Sequence, residues 1–295
     1  MYRRTFIQSS GLALPLSTLP SWFNLFIPTA YKMKLLRRNV GIFSEIGGTI
    51  GWLIQPDSIV VVDAQFREQA GHLIDEIKKF PAAPVKYLIN THHHGDHTSG
   101  NIAFKGLAEH ILAHENSKTN QIATARKNGN ESEQLYPDIT FNDRWQQQVG
   151  DEFIDIQYWG PAHTNGDTII HFQHANIAHI GDLMFNRKYP YIDKSAGAMI
   201  ENWVQILGQL QSYFDNDTMF IFGHANDGYQ VTGNKDDLAA FADYLTALME
   251  FVRSQLRADK SKKEILAATE IPGNTQWSGE GIQRSLSAAL EELGY

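Results

Sequence analysis

Alternation of apolar and polar positions organises the first part of the chain. Ile50, Trp52 and Ile54 recur at every second residue, and Ile59-Val60-Val61-Val62 is a continuous apolar run that fits a buried strand. Gly47-Gly48 and Pro56-Asp57 mark turns, so residues 35–65 read as strands. The period then changes. Over residues 66–80, Ala70, Leu73, Ile74 and Ile77 fall on one face of a helix, and Pro81 and Pro84 punctuate its end. Val85–Ile89 is the next strand, Ser99–Phe104 a short helix, Glu109–Ala113 a strand and Glu115 to about Asn128 a polar helix. Residues 139–160 read as strands about a turn at Val149-Gly150-Asp151. Thr168–Phe172 and Asn176–Ile180 follow as strands, the second ending in Gly181-Asp182. Met199, Trp203, Ile206, Leu207 and Leu210 have helical spacing across 199–214. Thr218–Phe222 is a buried strand ending in Gly223-His224, and the tail from Lys235 is helical. No repeat or linker breaks residues 31–295, which read as one domain with a helical C-terminal extension from about residue 235.

Residues 1–30 carry a different pattern. Arg3-Arg4-Thr5-Phe6-Ile7-Gln8 precedes an apolar run from Gly11 to about Ala30, as in a bacterial twin-arginine export signal. The alternative is a membrane anchor, but Pro15, Ser17, Thr18, Pro20 and Asn24 interrupt the run. The expected location is the periplasm or another exported compartment, with membrane contact only during export. No clean small-residue cleavage site marks where the signal would end.

Composition narrows the chemistry. The 295 residues are 42% hydrophobic and 20% charged, an ordinary globular balance. A formal net charge of −8 argues against a nucleic-acid partner, which asks for a basic face. With no cysteine, disulfides, iron–sulfur clusters and thiolate ligands are excluded, so any metal must be held by nitrogen and oxygen.

One stretch concentrates such donors: Asn90-Thr91-His92-His93-His94-Gly95-Asp96-His97-Thr98. If it is extended, His92, His94 and Asp96 point to one side and His93 to the other. Gly95 allows a bend that aims His97 at a second point nearby. The motif follows a strand and precedes a helix, where open α/β sheets gather their sites. Further on, His163 lies in Gly-Pro-Ala-His-Thr-Asn-Gly-Asp, Asp182 in Ile-Gly-Asp-Leu and His224 in Phe-Gly-His-Ala, each where a strand meets a loop. Each alone is more often a capping or hydrogen-bonded residue than a ligand. Asp63, at the end of the Ile59–Val62 run, reads either as a turn residue or as an acid that orients the histidine loop.

His-x-His-x-Asp-His, followed in this order by His163, Asp182 and His224, resembles the metallo-β-lactamase superfamily over about residues 40–230. The resemblance implies an αββα sandwich: two mixed β-sheets packed face to face, flanked by helices, with the site at one edge. It implies one metal on His92, His94 and His163, a second on Asp96, His97 and His224, and Asp182 bridging both or leaning to the second. Two zinc ions are the expected cofactors, with other divalent metals possible. The implied activity is hydrolysis of a small-molecule carbonyl or phosphoryl substrate by a metal-bridging hydroxide, with Asp96 able to handle the proton. Zinc β-lactamases carry Cys at the position of Asp182 and, three residues on, a Lys that grips a carboxylate; here that second position is Phe185. Lactonase, thioesterase and phosphodiesterase activities stay open beside the β-lactamase reading, as does a non-catalytic metal-binding or sensor role. Arg187 and Lys188 are candidates to replace the missing Lys, or solvated surface charges. Phe185, Tyr189, Tyr191 and Trp203 are candidates for pocket walls or equally for core packing.

Overall fold

Along the Ile59–Val62 run, Val60 and Val62 join one buried cluster and Ile59 and Val61 another, with all four at most 1% exposed. A strand buried on both faces needs a layer on each side. The computed structural model, which describes residues 31–80 and 83–295, has both layers. The export signal expected over residues 1–30, and Pro81, lie outside the described residues.

Among the described residues, a seven-stranded sheet runs in chain order: β1 (Lys32–Arg37), β2 (Val40–Ser44), β3 (Ile50–Ile54), β4 (Ile59–Val62), β5 (Val85–Ile89), β6 (Ala108–His114) and β7 (Ile139–Phe141). The first four strands pair antiparallel and the last four parallel. A six-stranded sheet holds β8 (Arg144–Val149), β9 (Glu152–Gln157), β10 (Ile169–Phe172), β11 (Ile177–Asn186), β12 (Met219–Ala225) and β13 (Thr232–Gly233). Its pairs are antiparallel except β11 with β12. The helices are α1 (Arg67–Ile77), α2 (Gly95–Thr98), α3 (Glu115–Asn128), α4 (Ile200–Tyr213), α5 (Lys235–Arg257), α6 (Lys262–Leu266) and α7 (Ile282–Glu292).

Three cores join these layers. Leu53, Val60, Val62 and Ile89 of the first sheet meet Ile154, Ile156, Ile170 and Phe172 of the second. Ile59, Val61 and Leu88 cluster with Leu73, Ile74 and Ile77 of α1. Ile180, Phe220 and Phe222 cluster with Trp203, Leu207 and Leu210 of α4 and with Phe241, Leu245 and Leu248 of α5. Each such side chain, taken fully out of water, stabilises the fold by about 1.5–3 kcal/mol before entropy is counted. The order of layers is helix, sheet, sheet, helix: the αββα sandwich that the resemblance implies. Helix α5 starts in a capping box, with Asn234 accepting from the Asp236 backbone and Asp237 reaching back to the Asn234 amide. No helix among the described residues is long and apolar enough to cross a membrane.

The structure corrects two strand ends. β11 runs past Asp182 to Asn186, and β12 past His224 to Ala225, where the sequence pattern stops both. The register between them shifts on either side of Gly181, whose φ is +50°. Such a bulge breaks the two-residue alternation while pairing continues beyond it, and it re-aims Asp182.

Candidate metal centre and its cavity

The histidine loop leaves β5 at the carboxyl end of a parallel strand and is fastened at once. The side-chain amides of Asn90 and Asn101 exchange two hydrogen bonds, of 3.1 and 2.8 Å. Asp63, fully buried at the end of β4 and held at φ +65°, accepts from the Thr91 amide at 2.8 Å and the Thr91 hydroxyl at 2.7 Å. His94 is still extended, and α2 begins at Gly95. From there the helical repeat replaces the two-residue one. Asp96 therefore leaves the side shared by His92 and His94 and groups with His97 and His224, which corrects the purely extended reading of the loop.

Three donor groups result among the described residues; His93, His94 and Asp193 form one, and the other two meet at Asp182. In the inner one, single atoms of His92, His94, His163 and Asp182 lie within 4.8 Å of one another. His94 Nδ1 is 3.1 Å from His92 Nε2 and 2.9 Å from His163 Nε2. The outward nitrogens are all engaged. His92 Nδ1 donates to Thr91 Oγ1 at 3.0 Å, His94 Nε2 to Asp193 Oδ2 at 2.9 Å and His163 Nδ1 to the Tyr191 carbonyl at 2.7 Å. In the outer group, Asp96, His97 and His224 meet within the same span. His97 Nδ1 donates to Asp63 Oδ2 at 2.7 Å, and His224 Nε2 is 3.1 Å from Asp96 Oδ2. Asp182 touches both groups, with Oδ1 3.0 Å from His97 Nε2 and Oδ2 3.4 Å from His163 and 3.5 Å from His224. The approach is close enough to require glycine. A Cβ on Gly223 would fall 1.9 Å from Asp182 Oδ1, and one on Gly48 2.1 Å from His97 Cε1.

The electrostatics differ between the groups. Burial pushes His92 far below the usual imidazole range and His163 down to about 3, so both are neutral at pH 7. Burial would also lower His224, but Asp182 and Asp96 outweigh it and raise the group to about 9. His97 is raised likewise by Asp182, Asp96 and Asp63 against its burial. Asp96 is held ionised by His97 and His224, although its own burial opposes that charge.

These donors fit a metal. With each outward nitrogen donating, the inner nitrogens of His92, His94 and His163 are left to face one another at hydrogen-bond distance, an arrangement that a bound cation satisfies. Asp182 Oδ1 is a buried acceptor without a hydrogen bond. Neutral imidazoles and ionised carboxylates are the protonation states that metal binding requires.

Above the donors opens a cavity of about 360 Å³, whose wall includes Asp96, Asp182, His224, Phe185, Lys188 and Tyr191. Arg187, expected as a substrate contact, does not line it. The Arg187 guanidinium lies 4.5 Å from the Trp277 ring centroid, a packing role set by the left-handed turn at its φ of +57°. Of the candidate aromatics, Phe185 stacks on the His224 ring at 5.3 Å, Tyr191 leans on His94 at 5.2 Å and Trp203 is core. His93 lies on the Nε2 side of His94, with its own Nε2 3.7 Å from Asp193. Sequence reading missed Asp193, which braces His94, and Glu280 and Arg284, which complete the cavity wall. No motif surrounds any of the three.

Residues 47–245 match the family model described as the metallo-beta-lactamase superfamily, and the chain belongs to that superfamily. The chain is 24% identical over 193 residues to metallo-beta-lactamase IND-1 of Chryseobacterium indologenes, covering 63% of this chain and 76% of that protein. Among solved structures it resembles the metallo-beta-lactamase from Pontibacter korlensis, with TM-score 0.58, 19% identity and coverage of 73% of this chain and 99% of that one. It also resembles a double mutant of the sec-alkyl sulfatase PisA1, with TM-score 0.71, 13% identity and coverage of 89% of this chain but 50% of that one. At these identities the two structural likenesses speak for the fold alone. The His/Asp clusters of the chain are groups that could bind metal ions.

Proposed function

We propose that the chain is an exported metal-dependent hydrolase of small molecules, acting at a carbonyl or phosphoryl centre with two divalent ions, zinc first among them. What carries the reading is the convergence of His92, His94, His163, Asp96, His97 and His224 about Asp182, beneath an open cavity. Nitrogen and oxygen donors of this kind suit zinc. When bound, such ions lower the pKa of water towards about 7 and polarise the bond to be cut.

The rest falls to the chain's own residues. His92, His94 and His163 would hold one ion and Asp96, His97 and His224 the other, with Asp182 within reach of both. Thr91, Asp193, the Tyr191 carbonyl and Asp63 keep the outward N–H groups fixed, so the donors are aimed before metal or substrate arrives. As water adds to the substrate, Asp96 Oδ2 takes its proton and passes it to the leaving group. One side of the broken bond gains OH and the other H, giving two fragments from an open-chain substrate and one opened molecule from a ring. The space above the donors favours turnover over a scavenging or sensing role, which needs no room for a substrate. Arg3-Arg4 and the apolar run after them support export.

β-Lactams lead the candidate substrates, on the name of the Chryseobacterium relative. Asp182 and Phe185, in place of Cys and Lys, keep lactones, thioesters and phosphodiesters as the second choice. The test is a panel of nitrocefin, an acyl lactone, a thioester and bis(p-nitrophenyl) phosphate, with zinc counted per chain. Hydrolysis that stops with chelator and returns with zinc is expected. Tight zinc binding with no turnover on any of the four would overturn the reading.

A further inference from the structure

Part of the cavity wall is built by a segment outside the family match, Glu280, Gly281 and Arg284, together with Lys188 after β11. Arg284 is solvent-exposed and its guanidinium carbon sits 5.6 Å from the Tyr191 ring centroid. Tyr191 in turn leans on His94 at 5.2 Å between ring centroids, so the cation is placed one aromatic ring away from the donor cluster. Neither Lys188 nor Arg284 has an ion-pair partner among the described residues, and Glu280, on the same wall, pairs with neither. Arg284 also stands in the first turn of α7, the end at which a helix dipole favours anions. It does nothing there for the helix. Its position makes sense for what enters the cavity.

We propose that Lys188 and Arg284 are specificity-determining residues that bind an anionic group of the substrate, a carboxylate, sulfate or phosphate remote from the bond that is cut. The inference rests on the hydrolase reading and names its substrate class. A guanidinium fork matches the paired oxygens of all three anions. Asp96, Asp182 and Glu280 line the same cavity, so the two cations act on an anion by direct contact rather than through a net positive field. Phe185, on the same wall, is stacked on His224 at 5.3 Å and offers an anion no charge, so Lys188 and Arg284 are the cationic side chains of the lining outside the donor groups. A neutral substrate would leave both without a partner.

The test is calorimetric titration of the zinc-loaded full chain with benzoate, phenyl sulfate, phenyl phosphate and neutral benzamide. Wild type, Arg284→Gln, Lys188→Ala and the double Lys188→Ala/Arg284→Gln variant are compared, with zinc content as the check that the site is intact. At least one anion is expected to bind tenfold or more tighter than benzamide, and the tightest names the headgroup. The double variant is expected to lose at least tenfold of that affinity, and salt to weaken it in wild type. Benzamide binding as tightly as the anions, or anion affinity in the double variant within twofold of wild type, would overturn the inference, since the anions would then be held by the metals alone. The two readings fail separately. Loss of anion binding in the double variant, with no turnover of any substrate by wild type, keeps the anion site and removes the hydrolase. Nitrocefin and p-nitrophenyl acetate turned over equally well by wild type and the double variant keeps the hydrolase and removes the anion site.

Discussion

The two halves of the donor cluster are built to different standards. In the inner half, His92, His94 and His163 each have a second nitrogen fastened, to Thr91, Asp193 and the Tyr191 carbonyl. In the outer half only His97 is braced so, by Asp63. Among the described residues no hydrogen bond holds His224 Nδ1, and the Asp96 side chain is 31% exposed. Protonation follows the same divide: His92 and His163 are neutral, whereas His97 and His224 are raised by surrounding carboxylates. Donors that are fixed and proton-free lose little on binding a cation; donors that are mobile and protonated must be ordered and stripped of protons first. The inner half should therefore fill first and release last.

Asp182 is the one donor common to both halves, so its removal tests the division most severely. If the proposed two-ion hydrolase is right, Asp182→Ala should lose both ions and lower hydrolysis by more than about 100-fold, since even partners outside the donor set cost 10–100-fold. Zinc counting decides it. If one ion stays and activity survives, Asp182 belongs to the outer half alone.

Next in size is pH. Asp182 and Asp96 raise His224 to about 9 and, with Asp63, raise His97 as well, so at neutral pH an ion entering the outer half must displace a proton from each. From pH 8 down to pH 6, apparent affinity there should fall at least about tenfold per pH unit, the slope for one proton, and up to about 100-fold per unit if both leave. His163 stays neutral down to about 3 and sheds no proton in this range. Competition with a chromophoric chelator at each pH should give one steep and one shallow dependence. Parallel slopes would remove the contrast.

The braces come third. Asp193→Asn should weaken the inner ion, and Asp63→Asn the outer, each by about 10–100-fold in affinity, as charge leaves the acceptor that orients a donor imidazole. Stepwise zinc titration separates them. Each substitution acting on the other half would mean that the braces are not local.

How much of this could be read in advance follows from distance along the chain. His92, His94, Asp96 and His97 sit in one short loop, where spacing alone reports geometry. The helical turn at Gly95 still moved Asp96 from the side that strict alternation gives it to the outer half. His163, Asp182 and His224 could be read from their order after strands, and the αββα layering from apolar runs whose alternate positions fill different cores. The bulge at Gly181 hid the continuation of β11, because alternation stops where pairing does not. Asp193 and Arg284 could not be read. Asp193 meets His94 across 99 residues through a loop without periodicity, and Arg284 reaches the cavity only because α7 folds back over it. Sequence leaves Arg187 open between a substrate contact and a surface charge, and its stacking on Trp277 could not be read because that ring is 90 positions further along the chain and adjacent in space.

The smallest expected effect bears on whether the halves are separable at all. The Thr91 hydroxyl donates to Asp63 Oδ2 at 2.7 Å and accepts from His92 Nδ1 at 3.0 Å. It thus joins the acid that braces the outer half to an imidazole of the inner one. Thr91→Val keeps the shape and removes the link, leaving the His92 N–H buried without an acceptor and Asp63 short of one donor. An unmade hydrogen bond of this kind costs about 1–3 kcal/mol, divided between fold stability and metal affinity. Zinc affinity should fall about three- to tenfold in both halves, with a melting temperature a few degrees lower. Because Thr91 and Asp63 are in contact, the double variant Thr91→Val/Asp63→Asn should lose less than the two singles combined. Full additivity in that cycle, with the loss confined to the inner half, would show that Thr91 serves His92 alone and that the two halves are braced independently.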